Sequence, residues 1–275
     1  MSQPIGFIGA GQMGEPMVRR LLAAGQAVTV FARRDDVRAR LKDAGATVVD
    51  SIGDVARDDR VVIVCLFSDA QLRDVALGAQ GLLTHSAPGT VVVSHTTGTV
   101  ATLRELVAAR PDVTVVDAPI SGTADDIAAG ELTVMIGGPA EAGAQVTSIV
   151  NAYATNVIRT GDLGTALNLK LVNNMLFAAN AQLLAAAVAV AADLDIDADR
   201  FLQVLAACSA DSKVAGHARG IGGMAKFTEL AAPFLRKDVD AAVAATREAN
   251  ADPGLLYEVI RRGPLALTTT DEVIR

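Results

Sequence analysis

Along roughly the first 160 residues, short runs of β-branched and aliphatic residues alternate with stretches whose apolar positions recur every three or four residues. The runs at 5–8, 27–31, 61–65, 91–94, 113–116, 132–136 and 156–158 read as strands, and 13–24 and 99–109 as helices between the early ones. Strands apolar at nearly every position belong in a sheet covered on both faces, and their alternation with helices makes that sheet mostly parallel. Right-handed crossovers then wind the helices over both faces. After Gly161 the strand pattern stops. One long helix is predicted over 165–193, followed by shorter ones near 197–207, 232–249 and 253–262. The expectation is an α/β protein with a doubly wound domain over 1–162 and an all-α C-terminal domain over 163–275, the long helix leading from one into the other.

The first strand runs into Gly9-Ala10-Gly11-Gln12-Met13-Gly14 and then a helix. That order, strand then GxGxxG then helix, is the dinucleotide-binding turn of a Rossmann-type domain. Gly9 permits the tight turn, Gly11 lets a pyrophosphate approach the backbone, and Gly14 lets the helix pack on the strand. The helix N-terminus offers free N–H groups and a positive dipole end to the anion, so Gln12 and Met13 are also cofactor-binding candidates. The second strand ends in Phe31-Ala32-Arg33-Arg34, with Asp35 and Asp36 a step later. A carboxylate at that strand end would select NAD through the ribose 2′-hydroxyl, whereas an arginine pairs with a 2′-phosphate. Arg33 and Arg34 therefore favour NADP over NAD, the alternative being that Arg34 only solvates a helix start.

Composition narrows the functional classes. Of the 275 residues 51% are hydrophobic and 20% charged, which excludes long disorder. Aromatic residues are 3%, without tryptophan, so stacking platforms for sugars or single-stranded nucleic acid are disfavoured. A balance of 24 basic and 31 acidic residues, net −7 without a long basic run, disfavours nucleic-acid binding as the main role. Cys65 and Cys208 read as free, buried thiols of a reducing compartment. The N-terminus lacks the pattern of a secretory signal, so a cytoplasmic location is expected. The apolar segment 175–194 is interrupted by Asn180, Gln182 and Asp193 and reads as a packed helix of a soluble protein rather than a membrane span. No metal site is expected.

Four segments in order now carry a resemblance: Ile5-Gly6-Phe7-Ile8-Gly9-Ala10-Gly11-Gln12-Met13-Gly14; Asp117-Ala118-Pro119-Ile120-Ser121-Gly122; Gly161-Asp162-Leu163-Gly164 leading to Lys170-Leu171-Val172-Asn173-Asn174; and Lys237-Asp238. The chain resembles the β-hydroxyacid dehydrogenase family, which includes 3-hydroxyisobutyrate dehydrogenases and is related to 6-phosphogluconate dehydrogenase. The resemblance implies an NAD(P)-dependent oxidoreductase of small hydroxy acids or their semialdehyde or keto partners. It implies that Lys170 is the catalytic lysine and Asn174 its partner one turn later, the i, i+4 spacing placing both on one helix face. Ser121, Gly122 and Thr123 are implied to hold the substrate carboxylate, Thr123 standing where the family usually has a second glycine. Leu66 and Thr97 are implied to line the cofactor, and Lys237 to lie near the nicotinamide and the substrate carboxylate. Ser94 and Thr96 depart from the family pattern, as do Gly98, Thr99 and the tail with Thr268, Thr269 and Thr270. His95 sits in a position without an acid–base role and reads as structural. The resemblance further implies a homodimer or homotetramer that buries the alanine-rich long helix.

Two rivals to a hydroxyacid dehydrogenase follow from the same residues. An imine reductase shares the fold but commonly lacks the lysine, so Lys170 counts against it. A non-catalytic nucleotide-binding protein would have no need of the Lys170, Asn174 and Ser121 set.

Overall fold

The computed structural model describes residues 4–58 and 60–268, without the side chain of residue 58; Thr269, Thr270 and both chain ends lie outside them. The first stretch contains β1 (Ile5–Ile8), α1 (Gly14–Ala23), β2 (Val28–Phe31), α2 (Asp35–Asp43), β3 (Thr47–Val49), α3 (Ile52–Asp58), β4 (Val61–Val64), α4 (Asp69–Leu77), α5 (Leu82–His85), β5 (Val91–Ser94), α6 (Val100–Ala109) and β6 (Thr114–Asp117). It continues through β7 (Ile120–Ser121), α7 (Ala124–Ala129), β8 (Leu132–Gly137), α8 (Ala140–Val150) and β9 (Ala154–Gly161). Beyond that point the described elements are helices: α9 (Thr165–Asp193), α10 (Ala198–Leu205), α11 (Lys213–Ile221), α12 (Met224–Glu248) and α13 (Gly254–Arg262).

The strands form one sheet in the order β3-β2-β1-β4-β5-β6-β8-β7, with β9 pairing β8. The six strands from β3 to β6 are parallel; β8 runs antiparallel to β6 and β7 and parallel to β9. Chain order reverses direction across the sheet between β1 and β4, and the carboxyl ends of those strands are where a doubly wound sheet opens a crevice for a ligand. Every residue of β1 and β4 is buried, yet their side chains divide by the two-residue period. Ile5, Phe7, Val61 and Ile63 join the core that holds Met17, Leu21 and Leu41 of α1 and α2. Ile8, Val62 and Val64 join the opposite core, with Leu72 of α4 and Leu103 and Leu106 of α6.

The chain divides into two compact units, Met1–Lys170 and Leu171–Arg275, so the division falls inside α9. The first turn of α9 belongs to the sheet unit because Leu167 is part of its second core. The helical unit has its own core, in which Leu171, Met175 and Ala178 of α9 meet Phe227 and Val239 of α12 and Ile260 of α13. By length and composition α9 is apolar enough to cross a membrane. One of its polar interruptions is used inside the unit: the Gln182 amide donates to the carbonyls of Ile260 and Leu265 and accepts from Leu265 N–H, whereas Asp193 is exposed.

Several expectations need correction. β3 and β7 lack a sequence signal because three and two residues are too few to show a period. α11 was not anticipated either, its Gly216 and Gly220 diluting the helical pattern. α12 begins at Met224, before the expected start at 232, and runs through Pro233, because Phe227, Ala232, Leu235 and Val239 on either side of the proline are buried at helical spacing. The two thiols are not alike: Cys65 is half-buried and Cys208 is exposed.

Candidate active site

The glycines after β1 do different work. Gly9 adopts φ +98°, and a Cβ on it would lie 2.1 Å from the Cys65 carbonyl oxygen. A Cβ on Gly14 would lie 2.2 Å from the Gly9 carbonyl oxygen, so this turn closes only with hydrogen at both positions. Gly11 differs, since nothing lies within 4 Å of the Cβ it lacks. The open space beside Gly11, at the N-terminus of α1, is the cradle that a pyrophosphate requires. Gly9 and Gly11 line a cavity of about 490 Å3 together with Arg33, Arg34 and Leu66. The residues present therefore fit a dinucleotide. The other two cofactor-binding candidates of this turn, Gln12 and Met13, lie between β1 and α1, Met13 as the N-cap residue of α1, and neither lines that cavity.

At the end of β2 the two arginines part company. Arg34 precedes α2 as its N-cap residue and donates from Nε to Asp36 Oδ1 at 3.0 Å and from Nη2 to Oδ2 at 2.5 Å. Arg34, and then Arg40, hold the Asp36 carboxyl down at about 2. Arg33 is exposed, lines the same cavity and has no side-chain partner among the described residues. It is the guanidinium left available at the cofactor cavity.

The loops after β4 and β5 are tied together. Thr96 Oγ1 accepts from Leu66 N–H at 3.2 Å, so the departure at Thr96 serves to hold the cavity-lining Leu66. Thr97 follows, half-buried. Asp69, the first residue of α4, accepts from the backbone N–H and the hydroxyl of Thr99 at 2.8 and 3.0 Å and so caps α6 from outside. A Cβ at residue 98 would collide with the Asp69 carboxylate, which explains why glycine stands there. Ser94 is buried at the end of β5, its hydroxyl unpartnered among the described residues. His95 is structural, as its position implied: Nδ1 bonds the Ala118 carbonyl and Nε2 lies 2.9 Å from the Tyr153 hydroxyl. Burial lowers the imidazole to about 4, against the opposing effect of the Ala118 bond. Burial likewise pushes the Cys65 thiol up to about 12, leaving it protonated.

β6 and β7 present the substrate-binding candidates. Ser121 is half-buried at the end of β7, and Gly122 follows exposed with φ +141°. Thr123 is committed elsewhere. Its hydroxyl accepts from Asp126 N–H at 3.2 Å and donates to Asp126 Oδ2 at 2.8 Å, while Asp126 accepts from Thr123 N–H at 2.6 Å. This capping box starts α7, so the hydroxyl expected at the substrate is part of a helix cap. Asp117 was quoted in a sequence motif but given no role. Its buried carboxylate accepts from Gly164 N–H and Leu167 N–H, each at 2.8 Å, at the head of α9. Burial raises this carboxyl, and the two backbone N–H groups oppose the rise. The available signal was an acidic residue ending an apolar strand.

Lys170 follows on α9, half-buried, one turn before the buried Asn174. In the helical unit Asn174 Nδ2 donates to Asp238 Oδ2 at 2.7 Å, and Asn174 Oδ1 accepts from Asn173 at 3.1 Å. Lys237 Nζ stands 3.0 Å from Asp238 Oδ1, so Asp238 serves both Asn174 and Lys237. Asp238 was quoted in the sequence motif without a role.

Residues 4–161 match the family model described as the NAD binding domain of 6-phosphogluconate dehydrogenase. Residues 164–270 match the one described as NAD-binding of NADP-dependent 3-hydroxyisobutyrate dehydrogenase. The chain belongs to the β-hydroxyacid dehydrogenase family. Among β-hydroxyacid dehydrogenase relatives, an uncharacterized oxidoreductase from Mycobacterium tuberculosis is 38% identical over 174 residues, 62% of this chain and 59% of that protein. An NAD-dependent L-serine dehydrogenase from Pseudomonas aeruginosa is 36% identical over 176 residues, 63% of this chain and again 59% of that one. The chain thus matches less than two thirds of the length of these relatives. A 3-hydroxyisobutyrate dehydrogenase structure from Salmonella typhimurium superposes with a TM-score of 0.83 at 25% identity, covering 94% of this chain and 92% of that one.

Proposed function

We propose that this β-hydroxyacid dehydrogenase family member transfers a hydride between NADP(H) and a small hydroxy acid or its semialdehyde or keto partner, with Lys170 as general acid and base. The observation that carries the reading is the pairing of a dinucleotide cavity, open at Gly11, with a half-buried lysine whose helix is held by the segment bearing Ser121 and Gly122.

The bound nicotinamide supplies the hydride chemistry, and the chain supplies position and proton transfer. In the oxidative direction the neutral Lys170 amine takes the substrate hydroxyl proton; in the reductive direction its ammonium returns one. Ser121 and the backbone N–H groups of the glycine turn anchor the substrate carboxylate. Asn174, its amide oriented by Asp238, directs the reacting oxygen. Arg33 favours the 2′-phosphate of NADP over the bare ribose of NAD, and Leu66, Thr97 and Lys237 complete the cofactor and substrate contacts. The working form is a homo-oligomer joined through α9.

The test is a kinetic screen of small hydroxy acids, including 3-hydroxyisobutyrate and L-serine, with both cofactors. Lys170→Ala is expected to lower kcat by at least about 10²-fold while cofactor affinity is kept. A variant that retains most of its turnover, or a wild type that binds NADPH and oxidises no member of the panel, overturns the reading.

A further inference from the structure

α9 carries Lys170 but has no cap of its own. Gly164 is its N-cap residue, since Asn168 N–H donates to the Gly164 carbonyl at 2.9 Å, and glycine has no side chain to satisfy the free N–H groups of the first turn. The missing acceptor comes from a residue far back in the chain. Asp117 Oδ1 takes Gly164 N–H and Asp117 Oδ2 takes Leu167 N–H, both at 2.8 Å, so one carboxylate spans the turn as a capping side chain would.

The surroundings are shaped for this contact. Asp117 is 1% exposed. A Cβ on Gly137, its partner across β8, would lie 2.4 Å from Asp117 Oδ1. Gly164 has φ +93°, and a Cβ on it would lie 2.7 Å from Val100 Cγ1. Gly137 thus makes room for the buried carboxylate, and Gly164 for the approach of Val100 to the head of α9. Burying a carboxylate is costly, and here the cost is offset by two charge-assisted hydrogen bonds and by the positive end of α9. A Ser or Asn cap at residue 164 is excluded by that φ and by Val100, so the acceptor for the first turn has to come from another segment, and Asp117 supplies it. Asp117 ends β6, and three residues later the same segment forms β7 with Ser121. Lys170 lies three residues beyond Leu167 along a rigid helix, about 4.5 Å of axial rise.

We propose that Asp117 is a positioning residue that locks the Lys170 helix to the strand segment presenting Ser121 and Gly122. This rests on the reading of Lys170 as acid and base. Positional errors of about 1 Å in a reacting group are worth on the order of 10²-fold in rate.

The test measures kcat and KM for Asp117→Asn, Asp117→Ser and Lys170→Met with NADP and 3-hydroxyisobutyrate or L-serine, whichever turns over, beside thermal melts. The serine hydroxyl rotates to accept from either N–H, which avoids the donor-against-donor clash that the asparagine amide meets. Asp117→Asn is expected to lower kcat by about 10- to 100-fold while the KM for NADP stays within about twofold. Asp117→Ser is expected to recover part of the loss. An unchanged kcat, a KM for NADP that moves as far as kcat, or failure of both Asp117 variants to fold overturns the proposal, the last showing a role in folding alone. If Lys170→Met keeps its turnover, the reading of Lys170 fails; if it is inactive while both Asp117 variants turn over normally, the Asp117 assignment fails alone.

Discussion

His95 shows how a single residue acquires a fixed chemical state. Nδ1–H donates to the Ala118 carbonyl, so the lone pair of Nε2 is left to accept from the Tyr153 hydroxyl, and the ring stays neutral. Its folded value of about 4 lies below the ordinary 6.5. Between those values the unfolded chain binds a proton that the folded one refuses, so this contribution is present above about 6.5 and is lost as pH falls toward 4. Going from pH 7 to pH 5 is expected to cost about 2 kcal/mol through this site. Urea unfolding at the two values, compared between wild type and His95→Gln, checks it. An equal pH dependence in the two proteins would remove His95 as the cause. At this scale the residue types were legible but not their partners: His95 as a structural residue agrees with the structure, whereas Thr123 turned out to serve a helix cap, because a hydroxyl's partner is set by the turn around it.

At the scale of elements, the strand–turn–helix at the start of the chain separates two kinds of glycine. Gly11→Ala adds a methyl group to open space, so it is expected to leave the melting temperature within about 2 °C and to weaken NADPH binding at least about tenfold. Gly14→Ala drives its methyl into the Gly9 carbonyl and is expected to destabilise the fold itself. Melting curves and NADPH fluorescence titrations distinguish them, and a Gly11→Ala protein with native cofactor affinity would move the pyrophosphate elsewhere. The β2–α2 junction makes a second contrast. Arg34 already neutralises Asp36, so Arg33→Ser is expected to raise the KM for NADPH about tenfold or more, with Arg34→Ser doing less. Equal KM values for NADPH and NADH in the wild type would end the arginine argument. The order of strands and helices was readable because each long element carries its own period. β3, β7 and the early start of α12 were not, since edge pairing and a proline inside a well-packed helix depend on neighbours.

At the scale of the whole molecule, the exposed side of α9 bears on the proposed homo-oligomer. Leu169, Leu176, Leu183 and Val190 recur every seven residues, are each more than half exposed, and with Val172 make one apolar stripe. A second copy of the same helix would cover a stripe of this period. Light scattering is expected to give at least twice the single-chain mass, and Leu176→Glu with Leu183→Glu is expected to reduce it to one chain with helicity retained. A wild-type mass of one chain would refute the oligomer. The division of the chain belongs to this scale too. Sequence reading puts it where strands end, whereas contacts put it between Lys170 and Leu171, because the first turn of α9 is anchored by Leu167 and Asp117 to the sheet unit.

Periodicity and glycine spacing, both local properties, were enough to read from the sequence alone a doubly wound domain followed by helices and a dinucleotide turn, whereas Lys170 and Asn174 were singled out by the family resemblance, their i, i+4 spacing adding only that they share a helix face. The tertiary structure decided which of those groups are available. Arg33 remains available at the cavity while Arg34 is paired, Thr123 is absorbed into a cap, and Asp117, quoted in a sequence motif without a role, seats the lysine helix. The reason is physical: a side chain's chemistry depends on the hydrogen bonds and burial that distant segments impose, and no local pattern records which segments those are.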